Sequence, residues 1–407
     1  MSDIEIRTIA PEELEAWAMA VESAFSSTLK AEYLELERLV ARPDRYLAAF
    51  DDGRLVAGNA SIPVDLTVPG GATVASCGIN GVGVQPTHTR RGISTALMRR
   101  QLDDTHERGE PIAVLHASEA AIYGRYGFGV ATRDAKLEID TRRAGFVRGY
   151  EPTGGTRLVE LAEARSALIS VLATLADRPG WIGPPDRYLP WLLRDIVIEA
   201  KDEPPLYVVH EDERGALDAV AVYKAKHEWP DGIPTVKVEV EMLVASTPAS
   251  NAAIWRFLLD LDLVATLGVW KRPIDEPLFR LVREPRALRM LVRDGMHLRL
   301  VDLQAALEAR GYRGSGRVVL EVEDTFCAWN AGTWALEVDG GRATCRPSDA
   351  APDLSLSVTD LASVYLGDAT FRELADALRV VVHDTAALEA ADALCASKPA
   401  PWCWLAI

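Results

Sequence analysis

The stretch from Gly78 to Val130 constrains the fold more than any other part of this sequence. It begins as an apolar strand interrupted by glycines, passes through a basic turn at 90–92 and continues as a helix. A second apolar strand, 113–118, then leads into a turn rich in Tyr and Gly. A strand, a helix and a strand in this order form a βαβ unit, which joins parallel strands through a right-handed crossover. The stretch therefore predicts a mixed α/β fold with at least one parallel pair of strands.

The pattern divides the 407 residues into three segments. In residues 1–140, alternating strands and a hairpin precede the βαβ unit. Residues 141–298 repeat the hairpin and the strand-turn-helix rhythm but have no counterpart of the basic turn. We expect this segment to be a structural copy, with a coincidence of short strand patterns as the alternative. Residues 299–407 combine a capped helix, several strands and further helices before an apolar end.

The net charge of the chain limits its partners. It has 44 Lys and Arg against 60 Asp and Glu, a net charge of −16. An acidic surface repels nucleic-acid phosphates and attracts cations. We therefore expect a small cationic amine as the substrate and no nucleic acid. Since no apolar run approaches the roughly 20 residues of a membrane span and the N-terminus does not resemble a signal peptide, we also expect no membrane span and a cytoplasmic location.

The cysteines and histidines do not form a recognisable framework. The five cysteines are odd in number and lack CxxC spacing, which is typical of reduced thiols in a cytosolic protein. The seven histidines are scattered along the chain. We therefore expect no disulfides and no metal.

The basic turn has the features of an anion site. Arg90, Arg91 and Gly92 precede a helix whose first N–H groups and positive dipole end favour a negative charge. Gly92 lets a phosphate approach the backbone, and the arginines can add charge-assisted hydrogen bonds. An Arg-Arg-Gly sequence before a helix is common, so the assignment depends on its surroundings.

The flanking strands supply that support. The preceding strand carries a glycine between two valines, where a ligand could approach and pair with the backbone as an added strand. The second strand ends at the start of the turn to Tyr123. This layout suits a thioester cofactor held by its pyrophosphate. The residues expected to contact the cofactor are Val82, Gly83, Val84, Arg90, Arg91, Gly92, Ile93, Ser94, Thr95, Ser118 and Glu119.

These motifs resemble the GNAT superfamily of N-acetyltransferases. They are most similar to the "enhanced intracellular survival" family of aminoglycoside and lysine acetyltransferases. The segments that carry the resemblance are Val82-Gly-Val-Gln-Pro-Thr-His-Thr-Arg-Arg-Gly-Ile, Leu115-His-Ala-Ser-Glu, Ile122-Tyr-Gly-Arg-Tyr-Gly-Phe-Gly and Ala305-Ala-Leu-Glu-Ala-Arg-Gly-Tyr312. Together they reach from the first segment into the third.

The resemblance implies an architecture and an activity. It implies a protein of the α/β (α+β) class. A catalytic GNAT domain (1–140) would bind acetyl-CoA, and a degenerate GNAT-like domain (141–298) would follow it. A sterol-carrier-protein-like domain (299–407) would come last, and the protein would assemble as a homohexamer. It also implies that Tyr123 is the general acid and that the terminal carboxylate, here on Ile407, is the base.

Both implied roles are chemically reasonable. A phenol with a pKa of about 10 stays protonated at neutral pH and can donate its proton to a departing thiolate. A carboxylate can accept the proton of an attacking amine, directly or through water. Tyr126 is expected to serve packing, while His116 and Glu119 are alternative bases.

Two departures from the family pattern bear on binding. Thr89 stands where members of the family usually carry a basic residue in the loop. The chain ends in Ala406-Ile407, where aminoglycoside-modifying members carry an acid before an aromatic residue. Because aminoglycosides are polycations, the second departure makes a lysine side chain or a polyamine an equal expectation. A non-catalytic acyl-CoA or lipid-binding scaffold is the alternative to an enzyme.

Overall fold

The computed structural model of the chain describes residues 4–147, 150–183, 204–229, 232 and 235–405. The chain forms two compact units. The first comprises 1–132, 178–194 and 294–407, and the second comprises 133–177 and 195–293. Strands and helices are numbered below in chain order.

The first unit contains an eight-stranded mixed sheet. Its strands are β1 (Ile4–Thr8), β2 (Tyr46–Asp51), β3 (Arg54–Thr67), β4 (Thr73–Val84), β5 (Ile112–His116), β6 (Gly129–Val130), β9 (Ile182–Gly183) and β15 (Met296–Leu300). The order is β1-β2-β3-β4-β5-β15-β6, with β9 paired to β3. Neighbouring strands are antiparallel except β4 and β5, which form the predicted parallel pair.

Four helices accompany this sheet. They are α1 (Leu14–Ala24), α2 (Ala31–Val40), α3 (Ile93–Glu107) and α4 (Ala120–Tyr123). Helix α3 is the crossover between β4 and β5, and it begins directly after the basic turn as expected. Its apolar side chains Leu97, Met98 and Leu102 are fully buried and form the inward face of the helix.

The first unit also contains a five-stranded sheet formed by the C-terminal part of the chain. Its strands are β16 (Gly316–Glu323), β17 (Gly332–Asp339), β18 (Arg342–Pro347), β19 (Leu354–Ser357) and β20 (Val380–Val382), in the order β18-β17-β16-β19-β20. Its helices are α8 (Leu303–Ala309), α9 (Val358–Tyr365), α10 (Phe371–Asp376) and α11 (Thr385–Cys395). The predicted cap of α8 is present, since the side chain of Asp302 accepts the N–H of Ala305 at 2.9 Å.

The second unit repeats the arrangement around the parallel pair. Its strands are β7 (Arg133–Asp140), β8 (Gly155–Val159), β10 (Leu206–Glu211), β11 (Leu217–Glu228), β12 (Thr235–Ala245), β13 (Val264–Pro273) and β14 (Leu288–Asp294). Its helices are α5 (Leu161–Thr174), α6 (Pro248–Leu259) and α7 (Leu278–Leu281). The order is β14-β7-β13-β12-β11-β10-β8, and the parallel pair β12–β13 is joined by α6.

The strands next to the predicted domain boundaries pair in different sheets. β7, which ends at Asp140, lies in the sheet of the second unit, whereas β15, which contains residue 298, lies in the first sheet. The boundaries at 140 and 298 themselves stay predictions. Among the described helices, none combines the length and the hydropathy that crossing a bilayer requires.

One buried ion pair connects β15 to the C-terminal sheet. The guanidinium of Arg299 donates from Nη2 to Oδ2 of Asp324 at 2.5 Å, and the two side chains are 0% and 1% exposed. Oδ1 of Asp324 also accepts the backbone N–H groups of Phe326 and Cys327. The aspartate therefore holds both the arginine and the loop that follows β16.

We expect Asp324→Asn to destabilise the protein by about 3–5 kcal/mol, because it leaves the buried charge of Arg299 without a counter-charge. Urea unfolding of the purified protein measures this loss. The matched control is Glu337→Gln, whose carboxylate pairs with Arg317 at 3.3 Å between side chains that are more than half exposed. That pair should contribute about 1 kcal/mol or less. Equal losses in the two variants would contradict the assignment.

Candidate active site

The parallel strands β4 and β5 separate after a short ladder. They pair at Ser76–Ile112, Cys77–Ala113 and Gly78–Val114. β4 then continues to Val84 paired with β3 on its other edge, while β5 continues paired with β15. The edge of β4 that faces the gap therefore has no partner strand from residue 79 to residue 84 among the described residues. Backbone N–H and C=O groups on such an edge can pair with an extended ligand.

The basic turn has a backbone shaped to bind an anion. Arg90 and Gly92 adopt left-handed conformations, with φ of 63° and 81°, and Arg91 between them does not. Alternation of this kind turns successive N–H groups toward one point, as in other anion-binding loops. Gly92 is the N-cap of α3, and no side chain caps the helix. Its first internal bond is Ala96 N–H to Gly92 O, so the N–H groups of 93–95 are not paired within the helix.

The two arginines of the turn have different surroundings. Nη1 of Arg91 donates to Oδ2 of Asp51 at 2.8 Å, and Nε2 of His88 lies 3.1 Å from the same oxygen. Arg90 is exposed and forms no ion pair with the described residues. Arg91 therefore holds the turn against the end of β2, and Arg90 is the cation available to a ligand. Asp51 lies too far from the turn in sequence for any local signal to have identified it.

A helix packs closely against Gly83, the glycine between two valines on β4. A side chain at Gly83 would lie 2.9 Å from Cβ of Ala24 and 3.3 Å from Cα of Val21, both on α1. The close approach at this position is thus made by a helix and not by a ligand. Contact between Val82–Val84 and a cofactor can therefore involve only the backbone edge and the outward-facing side chains.

Tyr123 ends α4 and faces an aromatic cluster. Its ring is 7% exposed and meets Tyr126 and Phe128 edge-on, with centroids 6.4 and 6.0 Å away. Its hydroxyl makes no hydrogen bond to a described residue. Burial, and to a smaller extent the neighbouring Tyr126, raises the pKa of Tyr123 to about 12. The phenol is therefore protonated throughout the physiological range, as a general acid must be.

Tyr126 connects this turn to the start of α3. Its hydroxyl lies 3.5 Å from Oγ of Ser94 and 3.3 Å from Oγ1 of Thr95, and its ring packs on Phe326 at 5.1 Å. The packing role expected from the sequence is present. The hydroxyl contact, which the sequence did not indicate, brings the tyrosine turn and the start of α3 together.

The tyrosine turn is also fixed from its other side. A side chain at Gly127 would lie 2.1 Å from Nη1 of Arg299, and one at Gly129 would lie 2.1 Å from the carbonyl oxygen of Thr359 on α9. Gly127 and Gly129 are thus required for the close contact of this turn with β15 and α9. Ser118 and Glu119, at the entrance to the turn, are exposed.

The corresponding helix in the second unit cannot offer the same site. Helix α6 begins with a capping box, in which Oγ1 of Thr247 accepts the N–H of Ser250 at 3.0 Å and Oγ of Ser250 accepts the N–H of Thr247. Pro248 in the first turn has no N–H. Of the first three positions of α6, one therefore has no N–H and one has its N–H already used, so α6 offers an anion fewer donors than α3, in line with the expected structural role of this copy.

The end of the chain is docked as far as it is described. Trp402 and Trp404 are 5% and 7% exposed. Ile407, the predicted base, lies outside the described residues. His116, one of the alternative bases, is half-buried at the end of β5. Among the described residues there is no group of three or more His, Cys, Asp or Glu side chains that could hold a metal ion.

Comparison with known proteins identifies the family. Models described as acetyltransferase (GNAT) domains match residues 5–131 and 194–300, and a sterol carrier protein domain model matches 303–404. The N-acetyltransferase Eis of Mycobacterium tuberculosis is 35% identical over 82% of this chain and 81% of its own length. The chain belongs to the Eis family of GNAT N-acetyltransferases.

Other members of the Eis family extend the likeness over the whole chain. A protein of Streptomyces avermitilis named an uncharacterized N-acetyltransferase is 38% identical over 98% of both chains. The crystal structure of Eis1 from Mycobacterium abscessus matches with a TM-score of 0.86 and 36% identity over all of both chains.

Membership of the Eis family confirms two predictions. The fold class is confirmed, with tandem GNAT domains followed by a sterol-carrier-protein domain. The enzyme class is confirmed as N-acetyltransferase, so the non-catalytic scaffold is set aside. The individual site residues stay predictions.

We expect the phenol of Tyr123 to titrate near pH 12 and not near its ordinary value of 10. The folded state keeps this proton between those values while the unfolded state loses it. The stability from the neutral phenol is therefore complete below pH 10 and lost as the pH rises to about 12. Subtracting the phenolate absorbance of Tyr123→Phe from that of the parent protein gives the titration of the Tyr123 phenol alone. A midpoint at the ordinary value would show that the phenol is not held in a buried site.

Proposed function

We propose that the chain transfers the acetyl group of acetyl-CoA to a primary amine by direct attack in a ternary complex. The observation that carries this proposal is the uncapped start of α3, which lies beside the tyrosine turn and follows the unpaired edge of β4. An anion site, a strand edge and a buried phenol are the three contacts that a CoA thioester requires for transfer.

The chemistry of the site fits the cofactor. The N–H groups of Ile93, Ser94 and Thr95, together with Arg90 and the left-handed Gly92, would hold the pyrophosphate. The free edge at 82–84 would pair with the amides of the pantetheine arm. Arg91 would act mainly by fixing the turn through Asp51. Ser118 and Glu119 would border the thioester end.

The proposed reaction needs one acid and one base. The amine nitrogen attacks the acetyl carbonyl carbon, the carbon–sulfur bond breaks, and the departing thiolate takes the proton of Tyr123. The proton of the amine passes to a carboxylate, which we assign to Ile407, with His116 and Glu119 as alternatives. Since a lysine-like amine has a pKa near about 10.4, the base must accept a proton that is costly to remove at neutral pH.

The acceptor follows from the charge of the chain, and the assembly follows from the family resemblance. The net charge of −16 favours encounter with a small cationic amine. An aminoglycoside, a lysine side chain and a polyamine all carry the required group. Nucleic acid is disfavoured by the same charge. A homohexamer is proposed from the family resemblance, and measurement of the mass in solution tests it.

We expect Arg90→Ala to raise the Kd for CoA by roughly 10–100-fold, because one charge-assisted hydrogen bond to phosphate contributes about 1.5–3 kcal/mol. Calorimetric titration with CoA measures the change. The matched control is Arg100→Ala, since Arg100 is an exposed arginine on α3, the helix that follows the turn, and pairs with Asp104. Unchanged binding in Arg90→Ala, or equal loss in Arg100→Ala, would exclude this turn as the pyrophosphate site.

We expect Tyr123→Phe to lower kcat by about 10²–10⁴-fold while the Kd for acetyl-CoA stays at the parent value, because the variant removes only the donated proton. Release of free thiol from acetyl-CoA in the presence of a panel of amines measures turnover. Tyr126→Phe is the comparison, and it should have the smaller effect on kcat. The opposite order would move the acid to Tyr126, and full activity of both variants would exclude a tyrosine acid.

A further inference from the structure

A short segment from the middle of the chain, residues 178–183, is bonded firmly to the first sheet. Thr67 donates its N–H to the carbonyl of Trp181 at 2.9 Å and accepts the N–H of Gly180 at 2.9 Å. Ile182 continues this contact as part of β9, paired with Leu66 on β3. We call residues 178–183 the tail platform.

The other side of the tail platform holds the end of the described chain. Trp402 donates its N–H to the carbonyl of Pro179 at 2.9 Å, and Nε of Arg178 donates to the carbonyl of Ala400 at 2.9 Å. Nε1 of Trp404 approaches the carbonyl of Ile182 at 3.4 Å. The bonds are distributed along the tail, so they fix its direction as well as its location.

An aromatic stack adds apolar contact to these bonds. The rings of Trp181 and Trp404 lie 5.5 Å apart with an angle of 26° between their planes. Trp181 is 5% exposed, and the tail residues Cys403 and Leu405 are equally buried. Terminal residues usually fray unless something ties them down. Here the tie comes from a segment more than two hundred residues earlier in the chain.

We propose that the tail platform positions the end of the chain for acetyl transfer, with Trp181 as the principal positioning residue. This inference rests on the proposed function, in which the end of the chain supplies the base. The reach of a chain beyond a fixed residue grows by at most about 3.6 Å per residue. Holding Trp404 against Trp181 therefore limits the region that the carboxylate can reach.

The test compares Trp181→Ala with Trp229→Ala, since Trp229 is 65% exposed and lies in the second unit. Amide hydrogen exchange of residues 399–405 reports whether the tail is released, and the same preparations give kcat and the Kd for acetyl-CoA. We expect roughly tenfold faster exchange and roughly tenfold lower kcat in Trp181→Ala, with the Kd within about twofold of the parent. Trp229→Ala should behave as the parent.

Two further variants keep the test decisive if Trp181→Ala does not fold. Trp181→Phe retains an aromatic ring and should restore most of the protection and most of the turnover. Arg178→Ala removes the bond to Ala400 and should release the tail in the same direction by a smaller factor.

The outcomes separate the platform from the proposed function. If the tail stays protected without Trp181, the platform assignment is overturned. If the tail is released and kcat is unchanged, the positioning role is overturned. If the parent transfers acetyl to no amine, the proposed function fails, while the exchange measurement still decides whether the platform holds the tail.

Discussion

The ladder between β4 and β5 ends after Gly78 and Val114, and beyond that point each strand continues only with the partner on its other edge. β4 stays with β3 up to Val84, and β5 is held by β15. The gap between them is what gives the first sheet an edge on which a cofactor could pair. A continuous parallel ladder would satisfy the same backbone groups internally and leave no place for an extended ligand. The rest of the proposed site is arranged around this gap.

The two GNAT domains differ at the start of the helix that joins their parallel strands. Both place a helix after a strand that takes part in a parallel pair. In the first, Gly92 leaves the helix N-terminus open and two arginines stand before it. In the second, Thr247 and Ser250 cap the helix with their own side chains. The arrangement of strand and helix is thus the same in both domains. At the start of α6, side-chain caps that stabilise the helix replace the open N-terminus found at the start of α3.

Much of this could be predicted from the sequence, because the informative signals are local. The βαβ unit, the start of α3 and the cap at Asp302 each depend on neighbouring residues. The ion pair of Arg91 with Asp51, the contact of α1 with Gly83 and the insertion of β15 could not be predicted, because they join residues far apart in the chain. The helix beside Gly83 could not be predicted for that reason, and contact of Gly83 with the cofactor stays a prediction. A glycine in a strand indicates a close neighbour without telling which neighbour it is.

The placement of β15 has a consequence for synthesis of the protein. β5 and β6 are each paired to β15, so the first sheet cannot close until residues 296–300 have left the ribosome. Until then the edge of β5 carries unpaired backbone groups beside the apolar residues Ala113 and Leu115. Open edges of this kind are the usual starting points of aggregation. The N-terminal domain therefore emerges first but completes its sheet only after the residues of the second unit have been synthesised.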